Sequence, residues 1–322
     1  MARQGSQRPW LLLAVMYAGF GSSFLAIELT VRDLPPFTAA SVRFLVAGLI
    51  LALAIGWKRG WRAVLPARRQ LPWLLLAGTL LFLIGNGGVM LGQDHGTPSW
   101  LTALIVASIP VCVAILRLIW GPPLSRLTIL GTAIGLLGTS IILVGSAREG
   151  PGRLISALPV LVGAVSWAVG TYLAARRGAG RDPMLSSAQQ LTAGGGLLLI
   201  AAFAFERSTW SSLTPTWSSL SALAWLVIVS SIVSMVAFYR VVELTSVSTA
   251  STYAFVNPVL ATLLSGLIIG AWPDAISAWA MPIVVAGVAM VVLGDRVWSS
   301  MDEKMPTHDN MPMKGVTDDA AS

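Results

Sequence analysis

Apolar residues fill this chain in long blocks, and the charged residues fall between them. Stretches free of Asp, Glu, Lys and Arg run over 9–27, 70–93, 95–116, 127–147, 154–175, 183–205, 208–239, 244–273 and 275–294, and a further one between Asp33 and Lys58 is interrupted only by Arg43. Each is long enough to cross a bilayer, which takes about 20 mostly apolar residues because every backbone N–H and C=O must find its partner inside the segment. The pattern predicts an all-α membrane protein of ten transmembrane helices. Their expected bounds are Trp10–Thr30, Pro36–Trp57, Leu71–Gln93, Ser99–Trp120, Leu127–Gly145, Leu154–Ala175, Pro183–Phe205, Ser218–Tyr239, Val247–Ala271 and Ala275–Gly294.

Composition supports the same solvent. Of the 322 residues 55% are hydrophobic and 11% charged, against roughly 25% charged in an ordinary soluble domain. A water-soluble fold of this composition would expose large apolar patches. The single Cys112 and two histidines exclude a disulfide framework or a multi-cysteine metal site, so neither metal nor cofactor is implied. The first apolar run follows Arg3 and Arg8 but is too long for a cleaved signal.

The basic excess has a topological reading. With the N-terminus in the cytoplasm, 16 Lys and Arg residues fall inside and only Arg32, Arg148, Arg153 and Arg207 outside, with Arg43 within a span. That bias puts both termini in the cytoplasm and the protein in the cell (cytoplasmic) membrane. It implies contact with membrane lipids and none with nucleic acid. Trp10, Trp57, Trp73, Trp100, Trp120, Trp217 and Trp298 near predicted helix ends are expected at the interfaces, where an amphipathic ring is at home.

Sliding the chain against itself by 147 to 149 positions aligns Phe20 with Trp167, Arg43-Phe44 with Gln190-Leu191, Pro110 with Pro258, Gly121 with Gly270, and Gly145 with Gly294. Five helices per repeat is an odd number, so the second copy starts on the opposite side of the membrane and the repeat is inverted. The expected organisation is residues 1–146 as the first five-helix repeat, 147–295 as the second, and 296–322 as a disordered cytoplasmic tail. Inverted repeats suit alternating-access carriers, which hold substrate near the midplane between the copies.

Gly21-Ser22-Ser23-Phe24-Leu25-Ala26-Ile27, Arg43-Phe44, Pro110, Ser166-Trp167-Ala168 and Asn257-Pro258-Val259, in that order over residues 10–294, resemble the drug/metabolite transporter superfamily, EamA-like branch. The resemblance implies a ten-helix exporter or exchanger of small metabolites, often amino acids or related compounds, with a cavity between the repeats. The sequence departs from the family's habit at Phe20, often Trp, and at Glu28, commonly Lys.

Polar groups inside the spans are the candidate substrate contacts, because a charge there is costly unless it faces a partner or a cavity. Arg43 lies about seven residues, or about 10 Å, inside the second helix. The turn Arg32-Asp33-Leu34-Pro35-Pro36 brings it towards Glu28, so the two are expected either to pair structurally or to gate and clamp an anion, since guanidinium binds carboxylate or phosphate in bidentate fashion. Asn86 in Gly85-Asn86-Gly87-Gly88, Asn257 beside Pro258, Trp167, Gln190 and Tyr253 complete the candidate lining. Ser230, Ser231 and Ser234 are read as packing residues. Gly131, Gly135, Gly138 and Gly194-Gly195-Gly196 permit close helix approach, with helix sliding or a homodimer as the sharper alternative.

No P-loop, dinucleotide fingerprint, HExxH or GxSxG element occurs, so ATP hydrolysis and familiar hydrolase chemistry are not indicated. The sequence therefore points to a secondary transporter of small organic metabolites, amino acids or related zwitterions among them, rather than to an enzyme. The rival on the same scaffold is a flippase for lipids or lipid-linked carriers. The rival of a different class, an intramembrane enzyme, lacks a reactive pair or a metal cluster.

Overall fold

The computed structural model describes residues 9–121, 124–148, 151–177, 182–244 and 253–302. Among these residues every regular element is helical. Helices α1 (Pro9–Val31) and α2 (Pro36–Arg59) are followed by two short 3₁₀ turns. The third crossing is one continuous helix in three parts: α3 (Leu71–Ala77), a π-helical segment (Gly78–Asn86) and α4 (Gly87–Asp94). The fourth breaks at Ser108 into α5 (Ser99–Ala107) and α6 (Ile109–Trp120). Then come α7 (Arg126–Arg148), α8 (Pro151–Arg177) and α9 (Pro183–Phe205), and a crossing built from α10 (Trp217–Trp225), a second π-helical segment (Leu226–Val233) and α11 (Ser234–Leu244). Helices α12 (Tyr253–Ile269) and α13 (Ala275–Asp302) complete the described chain.

Eight segments among the described residues are long and apolar enough to cross a membrane, and Arg126–Ile142 and Val256–Ile269 add two shorter apolar stretches. The protein is an integral, multi-pass membrane protein. The expected start of the ninth helix at Val247 falls outside the described residues. Its end is set by Gly270, whose φ of 72° is the left-handed conformation that stops a helix at little cost only for glycine. The last helix overruns its expected end at Gly294 and continues to Asp302. Nothing between those residues breaks a helix, and the first proline beyond is Pro306.

Packing follows a pattern of exchange. Helix α2 lies along α9, and α7 along α13. Helix α1 packs against α10, the second π segment, α11 and α12, while α8 packs against the first π segment, α4, α5 and α6. Exchanging the helices of residues 9–148 with those of residues 151–302 reproduces these pairings. The two closest pairs depend on missing side chains: a Cβ on Gly131 would sit 2.7 Å from the Gly287 carbonyl oxygen, and one on Gly48 would sit 2.6 Å from Thr192 Oγ1. Between apolar helices in lipid, such close approach supplies the dispersion contacts that the hydrophobic effect does not.

Large aliphatic side chains such as Leu49, Leu53, Leu137, Val162 and Leu267 cover the outer surface, as a lipid-facing wall requires. Trp57 and Trp217 are 91% and 84% exposed at helix ends, but Trp100 is only 1% exposed. The expectation that Trp100 is an interfacial anchor is corrected: it follows Ser99 at the start of α5 and is buried because α5 is enclosed by α1, α4, α8, α12 and α13. Trp73 is half-buried against the core.

Candidate functional site

The two π-helical segments prepare the centre of the bundle. Widening the helix by one residue per turn displaces backbone carbonyls from their usual partners, and π segments recur at functional sites. In the first, Asn86 Nδ2 donates to the Leu81 carbonyl (3.1 Å) and Ser166 Oγ of α8 donates to the Leu80 carbonyl (2.8 Å). In the second, Ser234 Oγ donates to the Val229 carbonyl (2.8 Å). Asn86 and Ser234 each satisfy the carbonyl five residues back. The first segment also meets α8 backbone to backbone, since a Cβ on Gly163 would lie 2.6 Å from the Gly85 carbonyl oxygen.

The second π segment holds the one buried arginine among the described residues. Arg43 is 6% exposed. Its Nε donates to Ser231 Oγ (3.0 Å) and its Nη2 to Ser230 Oγ (3.1 Å), while Nη1 is buried without a partner. The guanidinium also lies 4.7 Å from the centroid of the Phe44 ring. Guanidinium carries five N–H donors, and no carboxylate takes any of them among the described residues. Ser230 and Ser231, read from the sequence as packing residues, are therefore its seat.

Arg43 opens on a cavity of about 180 Å³ in the middle of the bundle, where roughly 10–15 Å³ suffices for one water. Phe20, Ser23, Phe24 and Ile27 of α1, Asn86 and Val89, Ala107 and Pro110, Gly163 and Trp167 of α8, and Tyr253 and Asn257 of α12 are among its walls. Asn257 is 7% exposed and its Oδ1 is buried without a partner. It precedes Pro258 inside α12, where the missing proline N–H interrupts the backbone ladder. Phe20 and Tyr253 pack ring to ring at 5.2 Å. Arg43 is the only charged side chain in this lining among the described residues.

Five residues singled out in the sequence thus share one cavity: Arg43, Asn86, Trp167, Tyr253 and Asn257. Gln190 is half-buried on α9 and is not part of this lining, and Glu28 is not either. The expected Glu28–Arg43 pair is not formed. One Glu28 oxygen, Oε2, accepts from the Ser99 backbone N–H (2.7 Å) and the other, Oε1, lies 3.8 Å from Arg32 Nη2, one turn along the same helix. Proline at position 98 leaves α5 without a capping side chain of its own, and the carboxylate from α1 supplies the cap.

Glu206, which the sequence did not single out, plays the same part for α2. Its Oε1 accepts from the Phe37 N–H (2.8 Å), and its Oε2 accepts from both the Thr38 N–H (2.7 Å) and Thr38 Oγ1 (2.7 Å). Trp210 Nε1 in turn donates to Thr38 Oγ1 (2.9 Å). The sequence signal was indirect: α2 begins Pro35-Pro36, with no capping side chain, and Glu206 closes a long charge-free run.

The fold and its interior define a multi-pass helical membrane protein enclosing a central, mostly apolar cavity with one arginine that has no carboxylate partner among the described residues. The chain belongs to the EamA-like transporter family, which matches residues 8–144 and again residues 154–293. It is 33% identical to the Escherichia coli K12 protein named "Uncharacterized inner membrane transporter YedA", over 88% of this chain and 90% of that one. It is 26% identical to the Bacillus subtilis "Uncharacterized transporter YvbV", over 81% of this chain and 83% of the relative. A solved crystal structure shares the fold at a TM-score of 0.61 and 23% identity, over 90% of this chain and 98% of its own.

Proposed function

We propose that this protein is a secondary carrier, an exporter or exchanger of small organic metabolites that bear an acid group, amino acids or related zwitterions included. It works by alternating access between two inverted five-helix halves, ten transmembrane helices in all, with both termini in the cytoplasm. The observation that carries the reading is the central cavity, lined from both halves by Arg43, Asn86, Trp167, Tyr253 and Asn257.

Three features support it. The family matches twice in one chain, over lengths that correspond to the two proposed halves. The π segments Gly78–Asn86 and Leu226–Val233 fall at the register of the sequence repeat, and the helix pairings survive exchange of the halves. Broken helices around a midplane site are the usual construction of such carriers. The proposed orientation rests on the 16 to 4 division of basic residues.

Counterflow in proteoliposomes tests the reading. Vesicles holding the purified full chain are loaded with unlabelled amino acids and organic acids, and uptake of labelled candidates is followed with and without a pH gradient. Saturable uptake that depends on the internal load is the expected result. No uptake across a broad panel by folded protein would overturn it in favour of a lipid flippase, with phospholipid scrambling as the confirming assay.

A further inference from the structure

Taking the carrier reading as given, the charge of the cavity narrows its substrate. We infer that the site is built for an organic monoanion, a 2-hydroxy acid with a compact apolar body, in preference to the amino acid of the same shape.

The lining presents one positive charge and no negative one among the described residues. Arg43 is fixed through two neutral hydroxyls, which orient the guanidinium without neutralising it, and Nη1 remains buried and unpartnered. An unneutralised cation within a span is unfavourable until an anion arrives, and a carboxylate matches the planar guanidinium edge. Site and monoanion together are electrically neutral. Site and zwitterion together keep a net positive charge.

The second unpartnered group is an acceptor. Asn257 Oδ1 requires a donor, which the hydroxyl of a 2-hydroxy acid provides while remaining uncharged. An ammonium would also donate, but its charge would meet only amide oxygen and ring faces, and burying a charge without a counter-charge costs far more than burying a hydroxyl. Apolar side chains form most of the remaining wall: Phe20, Phe24, Ile27, Val89 and Trp167.

Three acids with one isobutyl body test this: 2-hydroxy-4-methylpentanoate, leucine and 4-methylpentanoate. Each competes for counterflow in proteoliposomes and is titrated against the thermal unfolding of the purified full chain, where binding to the folded state raises the midpoint. The hydroxy acid should compete about tenfold more strongly than leucine, and several-fold more strongly than 4-methylpentanoate, as expected when a ligand leaves a buried polar group unpaired. Arg43→Gln should abolish competition by all three acids. Arg43→Lys, which keeps the charge, should preserve their order at reduced strength. Asn257→Leu should remove the advantage of the hydroxyl while leaving 4-methylpentanoate unchanged. Leucine equal to or better than the hydroxy acid overturns the inference and leaves the carrier reading intact. An unchanged order in a folded Arg43→Gln variant also overturns it. Failure of every compound in the wider counterflow panel overturns both.

Discussion

Two buried charges in this molecule are treated in opposite ways. Glu206, where α9 ends, has both carboxylate oxygens engaged by two backbone N–H groups and a hydroxyl, and so joins α9 to the start of α2. Arg43, farther along α2, is equally buried yet has hydroxyls on only two of its three nitrogens and no opposite charge among the described residues. Burial alone therefore does not distinguish a structural charge from a functional one. Satisfaction does: a fully bonded buried group has no capacity left for a ligand, and an incompletely bonded one costs stability unless something fills it.

Substitutions can break this contrast in order of expected effect. Arg43→Ala should lower saturable uptake in proteoliposomes by roughly 100-fold, the upper range for losing a charged hydrogen bond, while its thermal unfolding midpoint stays near that of the parent. A large loss of stability would instead place Arg43 with Glu206 as a structural charge. Glu206→Ala should do the reverse in kind, destabilising the fold by about 3 kcal/mol because it strands the donors at the start of α2. That loss would appear as a lowered melting midpoint in detergent.

Smaller effects sharpen the comparison. The double change Ser230→Ala and Ser231→Ala should cut uptake about tenfold by releasing the guanidinium from its seat, and should lower the melting midpoint by less than Glu206→Ala does, since the guanidinium then loses both of its hydroxyl partners. Glu28→Gln should cost only about 1 kcal/mol, since an amide oxygen can still cap the Ser99 N–H, as measured by the same thermal assay. Unchanged uptake in that variant would confirm that Glu28 lies outside the transport site.

The smallest effect concerns pH. Asp33, in the exposed turn after α1, accepts from the Thr216 hydroxyl and from the Thr216 N–H at 3.1 Å. The Thr216 side chain foremost, then Ser219, holds its carboxyl below the ordinary value of 3.8. A lowered folded-state value means that its contribution to stability is complete above the ordinary carboxylate range and is lost as pH falls through the lowered one. Asp33→Asn should accordingly lower stability slightly at neutral pH and make no difference once pH has fallen below the lowered value, so that the acid side of the profile flattens, as read from melting midpoints across a pH series.

Much of the architecture was legible because hydrocarbon imposes a simple rule. Arg43 stood out as a charge well inside a span rather than near its end, and Asn86, Asn257 and Trp167 stood out beside glycine, proline or a repeat partner. What the sequence missed shares one cause. Ser230 and Ser231 look like any small polar residues in a transmembrane helix, and only the approach of α2 to the second π segment makes them ligands of the guanidinium. Trp100 resembles an interfacial tryptophan until α5, which carries it, is seen to be enclosed by neighbouring helices. Glu28 and Arg43 are neighbours across a turn, but the nearer unsatisfied group for the carboxylate is the bare start of α5, which comes from distant sequence.

By itself the sequence determined that this chain lives in a membrane and roughly where its helices run, because length and apolarity are properties of segments. The tertiary structure alone decided which polar groups are satisfied. A helix closes its own backbone ladder, but a side chain inside it finds a partner only through helices that fold against it, and whether Glu206 or Arg43 retains an open valence is settled there.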